Sequence, residues 1–202
     1  MTSRRSLLLL GGLSLMLAGC DRVKTLFESG PKFNAIDITG AQYARNFALV
    51  DAQGRERTMA DFRGKIVVIF FGFTQCPDVC PTALGELAQV KQALGADGDK
   101  LQGIFITVDP ERDTPEVMGA YVQAFDPSFV ALRGSPEQTA AVAREFKVYY
   151  NKVPGKTPDS YTMDHSAGLY VFDAQGRVRL YARHGMGAQP LTQDIRSLLT
   201  SG

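Results

Sequence analysis

A nearly continuous run of β-branched and aromatic residues limits the folds open to this chain. The run, Lys65–Phe73, reads KIVVIFFGF, so both faces of a strand formed here are apolar. A strand of this kind belongs in the middle of a sheet that is covered by helices. We therefore predict a layered α/β fold built around this segment.

Strand and helix patterns alternate along the rest of the chain. Further strands are predicted over 47–51, 103–108 and 129–133, with a hairpin over 167–172 and 177–181. Helices are predicted over 81–94, 114–125, 135–146 and 191–199, with Asp113 and Thr114 starting the second helix and Ser135 capping the third. A hairpin followed by a closing helix is the thioredoxin-like order, with a central mixed sheet and helices on both faces. The exception is 147–166, which reads as a long irregular loop of the kind that is often functional or disordered.

The start of the chain has the pattern of a targeting segment. Arg4 and Arg5 precede an uncharged apolar stretch, 6–17, that is short for a membrane span. The residues that follow, Leu17-Ala18-Gly19-Cys20, resemble a bacterial lipobox, in which Cys20 receives a diacylglycerol group and becomes the first mature residue. An uncleaved N-terminal anchor is the alternative.

These patterns divide the chain into three parts. We predict a lipoprotein signal peptide over 1–19, a membrane-proximal tether over 20–40 and one folded domain over 41–202. Asp21 is the type of residue that retains lipoproteins of well-studied Gram-negative bacteria at the inner membrane, so the expected location is its periplasmic side. The 22 basic and 21 acidic residues give a net charge of +1. With no basic excess to neutralise phosphates, no nucleic-acid partner is expected.

Two cysteines follow the buried strand directly, in the stretch FTQCPDVCP. A disulfide between Cys76 and Cys80 closes a tiny loop and gains little from unfolded-state entropy, so reactive or metal-binding sulfur is the better interpretation. Sites in open α/β sheets gather at the carboxyl ends of strands. Pro81 is expected to hold Cys80 outside the α-helical region and both sulfurs at the helix N-terminus, where N–H groups stabilise a thiolate.

Three sequence blocks together resemble the Sco/SenC family of copper-binding thioredoxin-like proteins. They are the stretch 71–81, which contains both cysteines, the stretch 108–115, which reads VDPERDTP, and Asp164-His165-Ser166 ahead of an apolar strand. The blocks occur in the family's order and spacing. The segment from the first block to the last, 71–166, spans most of residues 40–200.

The resemblance implies that Cys76, Cys80 and His165 bind copper. Two thiolates suit Cu(I), and an added imidazole lets a site hold Cu(II) as well. Zn(II) also fits such a set of ligands, so ligand type alone does not choose the metal. Asp164 and Asp78 are candidates for supporting roles outside the ligand set, the first by orienting His165 and the second through its charge.

The family implies a metallochaperone that delivers copper to the Cu_A centre of cytochrome c oxidase subunit II or to another copper protein. The alternative is a thiol–disulfide reductase in which Cys76 and Cys80 form the catalytic redox pair and keep the acceptor's cysteines reduced. Whether the protein is an enzyme stays open, with the chaperone favoured. A peroxiredoxin is disfavoured because Thr74 lies two residues before Cys76 instead of three.

Overall fold

The computed structural model describes residues 32–157 and 160–200. The predicted signal peptide, Cys20 and most of the predicted tether lie outside these residues. The described part contains an eight-stranded sheet, a separate two-stranded sheet and four α-helices.

The strands are β1 (Ile36–Asp37), β2 (Ala48–Asp51), β3 (Glu56–Thr58), β4 (Ile66–Gly72), β5 (Leu101–Thr107), β6 (Val130–Arg133), β7 (Tyr150–Pro154), β8 (Tyr161–His165), β9 (Leu169–Phe172) and β10 (Val178–Ala182). The helices are α1 (Val79–Ala93), α2 (Pro115–Gln123), α3 (Pro136–Glu145) and α4 (Ala188–Thr200). Short 3₁₀ segments occupy Met59–Phe62 and Gly95–Lys100.

The large sheet is mixed, with β4 near its middle. Its strand order is β1-β10-β9-β4-β5-β6-β2-β3, and only the β4–β5 and β5–β6 pairs are parallel. All seven residues of β4 are buried, as the apolar run predicted. The predicted mixed sheet is therefore confirmed.

Helices cover both faces of this sheet. On one face Phe70 of β4 and Phe105 of β5 lie side by side, and Tyr121 of α2 packs its ring 5.7 Å from that of Phe105. On the other face Phe71 packs 5.1 Å from Phe146, the residue that follows α3. Successive β4 side chains point to opposite faces, so this single strand supplies both layers of the core.

Helix α1 begins two residues earlier than predicted. Cys80 lies in its first turn and so is helical, which corrects the expectation that Pro81 keeps it out of the helix. The helix tolerates Pro81 in its first turn because the N–H groups of that turn have no partner within the helix, so a proline there removes no hydrogen bond. The caps predicted for α2 and α3 are confirmed, since the Thr114 and Ser135 side chains accept from backbone N–H groups.

The segment predicted as an irregular loop is a β-hairpin instead. Strands β7 and β8 pair antiparallel, and Tyr150 stands opposite His165 at the base of the hairpin. The β7–β8 pair is not hydrogen-bonded to the large sheet. Its β7 strand is exposed along most of its length, which explains why no apolar alternation marked it in the sequence.

The folded domain begins before residue 41. Strand β1 pairs with β10, and the buried Asp194 carboxylate accepts from the backbone N–H groups of Asn34 and Ala35 at 2.8 Å. The predicted tether thus overlaps the domain from Asn34 onward. None of the helices within 32–157 and 160–200 combines the length and the apolar character needed to cross a bilayer.

Candidate metal centre

The cysteine loop starts where β4 ends and closes where α1 begins. The Cys76 N–H donates to the Phe73 carbonyl at 3.2 Å, which turns the chain back after the strand. The Cys80 N–H in turn points at the Cys76 Sγ over 3.4 Å. Both cysteines are free thiols, with Cys80 fully buried and Cys76 partly exposed.

The hairpin brings a histidine to these sulfurs. His165, the last residue of β8, has its Nε2 atom 3.5 Å from the Cys80 Sγ, although 85 residues separate them in the chain. Together the two sulfurs and the imidazole nitrogen lie within 4.8 Å of one another. The structure thus brings together the three side chains that the resemblance pointed to, in a cluster that one metal ion could bridge.

The surroundings of His165 favour its neutral form. Its ring packs edge-on against Phe70 and Phe73, with centroids 6.0 and 5.8 Å apart, and burial lowers the pKa of the imidazole. Its Nδ1 lies 3.0 Å from the Ser166 carbonyl oxygen. A carbonyl can only accept, so we assign the proton to Nδ1, which leaves a lone pair on Nε2 directed toward the cysteines.

Cys80 is held as a thiol in the metal-free protein. Burial raises the pKa of the Cys80 thiol far above its ordinary value, and the neighbouring Cys76 adds to the effect. This differs from the expectation that the helix N-terminus would favour a thiolate, because removal of the sulfur from water outweighs the helix N–H groups. A bound cation would replace the proton, since metal ligation needs the thiolate.

A glycine makes room for the buried sulfur. A Cβ atom added at Gly72 would lie 2.8 Å from the Cys80 Sγ, 2.8 Å from Phe70 and 2.9 Å from Phe105. These contacts are closer than real Cβ atoms show, so only glycine lets β4 run this close beneath the cysteine. The sequence carries this residue in the FGF stretch but gives no sign of why it is needed.

A buried carboxylate anchors the loop from below. The Asp113 side chain is fully buried and accepts from the Thr74 N–H and hydroxyl and from the Thr107 hydroxyl. Burial raises the pKa of this carboxyl despite those hydrogen bonds. The sequence predicted that Asp113 helps to start helix α2, and the structure adds that it ties β5 to the residues ahead of Cys76.

The two aspartates predicted to support the site lie at its margin. Asp164 is exposed on the outer side of β8, and it is the Ser166 carbonyl that contacts His165 Nδ1. The Asp164 charge nevertheless acts to raise the pKa of His165 against the effect of burial. Asp78 is exposed at the start of α1, where it accepts from the Thr82 N–H.

Two further side chains differ in exposure. His184 is exposed, and Met163 is partly buried against the core. Sequence reasoning missed the contact of the Ser166 carbonyl with His165 and the hydrogen bonds that Arg112 donates to Gln75 and to the Tyr161 carbonyl, because they depend on a hairpin that the sequence did not reveal.

The geometry defines a class of protein. It is a thioredoxin-like domain in which a histidine from a separate hairpin completes a Cys-x₃-Cys loop, giving a three-ligand cluster suited to a soft metal ion. The SCO1/SenC family model matches residues 37–200. The chain belongs to the SCO1/SenC family.

Relatives of known sequence and structure agree with this assignment. The chain is 43% identical over 153 residues to the mitochondrial SCO2 homolog of Bos taurus, a match covering 75% of this chain and 58% of that protein. It is 44% identical to copper-bound ScoI of Bradyrhizobium japonicum, with a TM-score of 0.68 over 75% of this chain and 96% of that one. Copper-bound yeast Sco1 is 32% identical, with a TM-score of 0.71 over 78% of this chain and 88% of that one. The matched region therefore spans little more than half of the bovine relative's length.

Proposed function

We propose that this protein binds copper through Cys76, Cys80 and His165 and delivers it to the Cu_A centre of cytochrome c oxidase subunit II. The observation that carries the proposal is the cluster of three ligand atoms within 4.8 Å. Family membership supports the choice of metal, because two of the relatives were solved with copper bound. The acceptor follows from what the family resemblance implies.

The composition of the cluster is compatible with copper. Among the described residues it has three members, fewer than the four ligands of a structural zinc site, but two cysteines and one histidine also form catalytic zinc sites, so the choice of copper rests on the family. Two thiolates and one imidazole suit Cu(I), and the imidazole allows Cu(II) to be held as well. Copper is cargo here, so an open three-ligand site gives an acceptor's thiolate room to join before the donor's ligands leave.

Copper transfer requires that at least one of this protein's ligands dissociates from the ion early. Cys76 and His165 are each partly exposed, while Cys80 is fully buried. An acceptor sulfur can therefore displace Cys76 and His165 first, and Cys80 dissociates from the ion last. Proton balance follows from the two free thiols: loading releases the protons of Cys76 and Cys80, and unloading takes two back.

A titration of the purified protein with a competing copper chelator tests the binding proposal. His165→Ala should weaken Cu(II) binding by about a hundredfold or more, because the loss of a ligand costs at least as much as the loss of a group that supports one, which costs about 10–100-fold. His184→Ala is the matched control, because His184 is exposed and outside the cluster. Equal affinities of the His165 variant and the unaltered protein would contradict the three-ligand site.

Transfer itself needs a second assay. A mixture of Cu(I)-loaded and Cu(II)-loaded protein, added to the metal-free Cu_A domain of subunit II, should produce the absorption bands of the binuclear, mixed-valence Cu_A centre without free copper in solution. Transfer no faster than from a copper–chelator complex would contradict delivery while leaving binding intact.

A thiol–disulfide reductase is the second candidate, favoured by the unequal exposure of the two cysteines. In this mechanism the partly exposed Cys76 attacks an acceptor disulfide, and Cys80 then resolves the mixed disulfide. Two electrons pass to the acceptor, and a Cys76–Cys80 disulfide forms. Turnover on an oxidised Cu_A domain, retained in His165→Ala and lost in Cys76→Ser, would support it.

The location is also proposed. We infer that Cys20 carries a lipid and that the domain lies on the periplasmic side of the bacterial inner membrane, where an acceptor in a membrane-bound oxidase would be within reach. The lipobox pattern supports this proposal.

A further inference from the structure

The three candidate ligands belong to two parts of the molecule. Cys76 and Cys80 follow β4 in the large sheet, whereas His165 lies on β8 of the separate hairpin. The distance between imidazole and sulfur therefore depends on how firmly the hairpin is held against the domain. The contacts that hold the hairpin therefore affect how His165 binds a metal ion.

The inner face of β8 carries three side chains in a row. Tyr161, Met163 and His165 alternate with the exposed Thr162 and Asp164. Because strand side chains alternate with period two, the first three share one face. Whatever holds Tyr161 at one end of this face restrains His165 at the other.

Arg112 holds that end. Its guanidinium carbon lies 3.6 Å above the Tyr161 ring, and its Nη1 donates to the Tyr161 carbonyl at 2.9 Å. The Tyr161 hydroxyl donates at 2.9 Å to Asp109, the same buried carboxylate that accepts from Arg112 Nε. A planar forked group stacked on an aromatic ring fixes orientation in a way that a lysine cannot.

The same guanidinium reaches the cysteine loop. Its Nη1 also donates to Gln75 Oε1 at 3.1 Å, one residue before Cys76, and its carbon lies 5.9 Å from the Phe73 ring. Arg112 therefore touches both the segment that carries the cysteines and the strand that carries the histidine. One further link joins hairpin and domain nearby, the exposed ion pair of Lys152 with Glu111.

Stability alone does not account for this arrangement. Arg112 is mostly buried, and its Nη2 has no hydrogen-bond partner within the described part of the chain. Burying a charged group with one donor unsatisfied costs free energy that an apolar contact would not. A positional role explains why a guanidinium occupies this place.

We propose that Arg112 is a positioning residue that fixes the β7–β8 hairpin, and with it His165, at bonding distance from the cysteines, and so sets the rate of copper release. This inference rests on the copper site proposed above. Loss of the Arg112 contacts lets the hairpin move away from the cysteine loop, so the imidazole dissociates from the ion more often while both sulfurs stay bound.

The test is a double-mutant cycle on the rate of copper loss to excess chelator. Arg112→Ala should speed Cu(II) dissociation by about tenfold, as expected for loss of one partly buried stacked cation. In the His165→Ala background the same change should have less than about a twofold effect, because additivity fails for groups that act through each other. In copper-loaded protein, the thiolate-to-Cu(II) absorption band should shift on Arg112→Ala only while His165 is present.

Arg57→Ala is the matched control. Arg57 has the same exposed side-chain fraction as Arg112, 21%, pairs with the buried Asp51 and lies 5.9 Å over Phe62. It contacts neither the hairpin nor the cysteine loop in any of these interactions, so copper release should stay at the unaltered rate.

If Arg112→Ala does not fold, two variants of Tyr161 test the same contact from the other side. Tyr161→Ala removes the stacked ring and should match the predicted tenfold effect, while Tyr161→Phe keeps the ring and should change release much less. An Arg112 effect of equal size with and without His165, or none with His165 present, would overturn the positioning role. The site itself fails only if His165→Ala also leaves copper release unchanged.

Discussion

The smallest residue of the site carries a steric constraint that a substitution can test. Gly72→Ala places a methyl group against the Cys80 sulfur and two buried rings. Overpacking of this kind costs about 1–3 kcal/mol, so we expect a lower free energy of unfolding in chemical denaturation. Copper affinity should fall as well, because the sulfur itself must move.

Gly85→Ala is the control for that change. Gly85 lies within α1, and a Cβ there meets nothing within 4 Å. Alanine favours a helix interior by about 1 kcal/mol over glycine, so this variant should be more stable than the unaltered protein. Unchanged stability and affinity in Gly72→Ala would contradict the tight approach of β4 to Cys80.

A pH dependence follows from the buried imidazole. The pKa of His165 in the folded protein lies below its ordinary 6.5. As the pH falls through about 6.5, the His165 imidazole therefore binds a proton in the unfolded chain but not in the folded one, and the free energy of unfolding decreases. Denaturation of the metal-free protein at about pH 7.5 and about pH 5.5 should show this loss, reduced in His165→Asn. The exposed His184→Asn should keep most of it, because burial is the main cause of the lowered pKa of His165 and the charge of His184 adds only a minor part. An equal pH dependence in all three proteins would contradict the burial of His165.

At the residue scale, sequence reasoning found groups whose chemistry is unusual and missed those whose role is spatial. Cys76 and Cys80 were found from their place directly after the buried strand, whereas His165 was found only through the family resemblance. Gly72 and Arg112 were not, since a glycine beside a strand and an arginine in a charged loop have many ordinary uses.

Among the elements, the β7–β8 hairpin differs most from its neighbours. It is exposed along β7, and its strands pair only with each other. Segments with few buried contacts open at low free energy, so we expect its backbone amides to exchange faster than those of β4 and β5. Hydrogen exchange followed by mass spectrometry, with and without copper, measures this.

Copper should slow exchange selectively in the hairpin. A ligand that bridges His165 to the cysteines adds a new tie between hairpin and sheet, whereas β4 and β5 are already held by the core. Equal protection of every strand, or none in the hairpin, would contradict a site shared between the two parts.

Six of the eight strands of the large sheet were predicted, because their buried residues form apolar runs in the sequence. Strands β1 and β3 were missed, since they are only two and three residues long and contain no fully buried residue. Strand β4 is buried throughout, and α2 and α3 carry cap residues followed by proline. The hairpin left no such pattern, because four of the five residues of β7 are exposed and only three residues of β8 are turned inward. The element that completes the candidate site was therefore the one that periodicity could not reveal.

At the scale of the whole molecule, the thioredoxin-like order of elements was predictable and the start of the domain was not. The link from Asn34 and Ala35 to Asp194 joins segments about 160 residues apart, and nothing local marks it. The mixed sheet, by contrast, follows from the alternation of strands and helices.

The proposed lipid anchor can be tested on the full chain. Cys20→Ala should shift the protein from the membrane to the soluble fraction of cells, because the lipid is lost with the thiol that carries it. Cys76→Ala is the control, since it removes a thiol of the copper site and should stay at the membrane. Persistent attachment of the Cys20 variant would favour an uncleaved anchor.

The central claim is that one copper ion is shared by the sulfurs of Cys76 and Cys80, which lie between the end of β4 and the first turn of α1, and by one nitrogen on the hairpin. X-ray absorption spectroscopy of the copper-loaded protein measures this directly. We predict two sulfur scatterers and one imidazole nitrogen around copper, with the nitrogen contribution lost in His165→Ala and both sulfurs retained. A copper environment that is the same in both proteins would contradict the account.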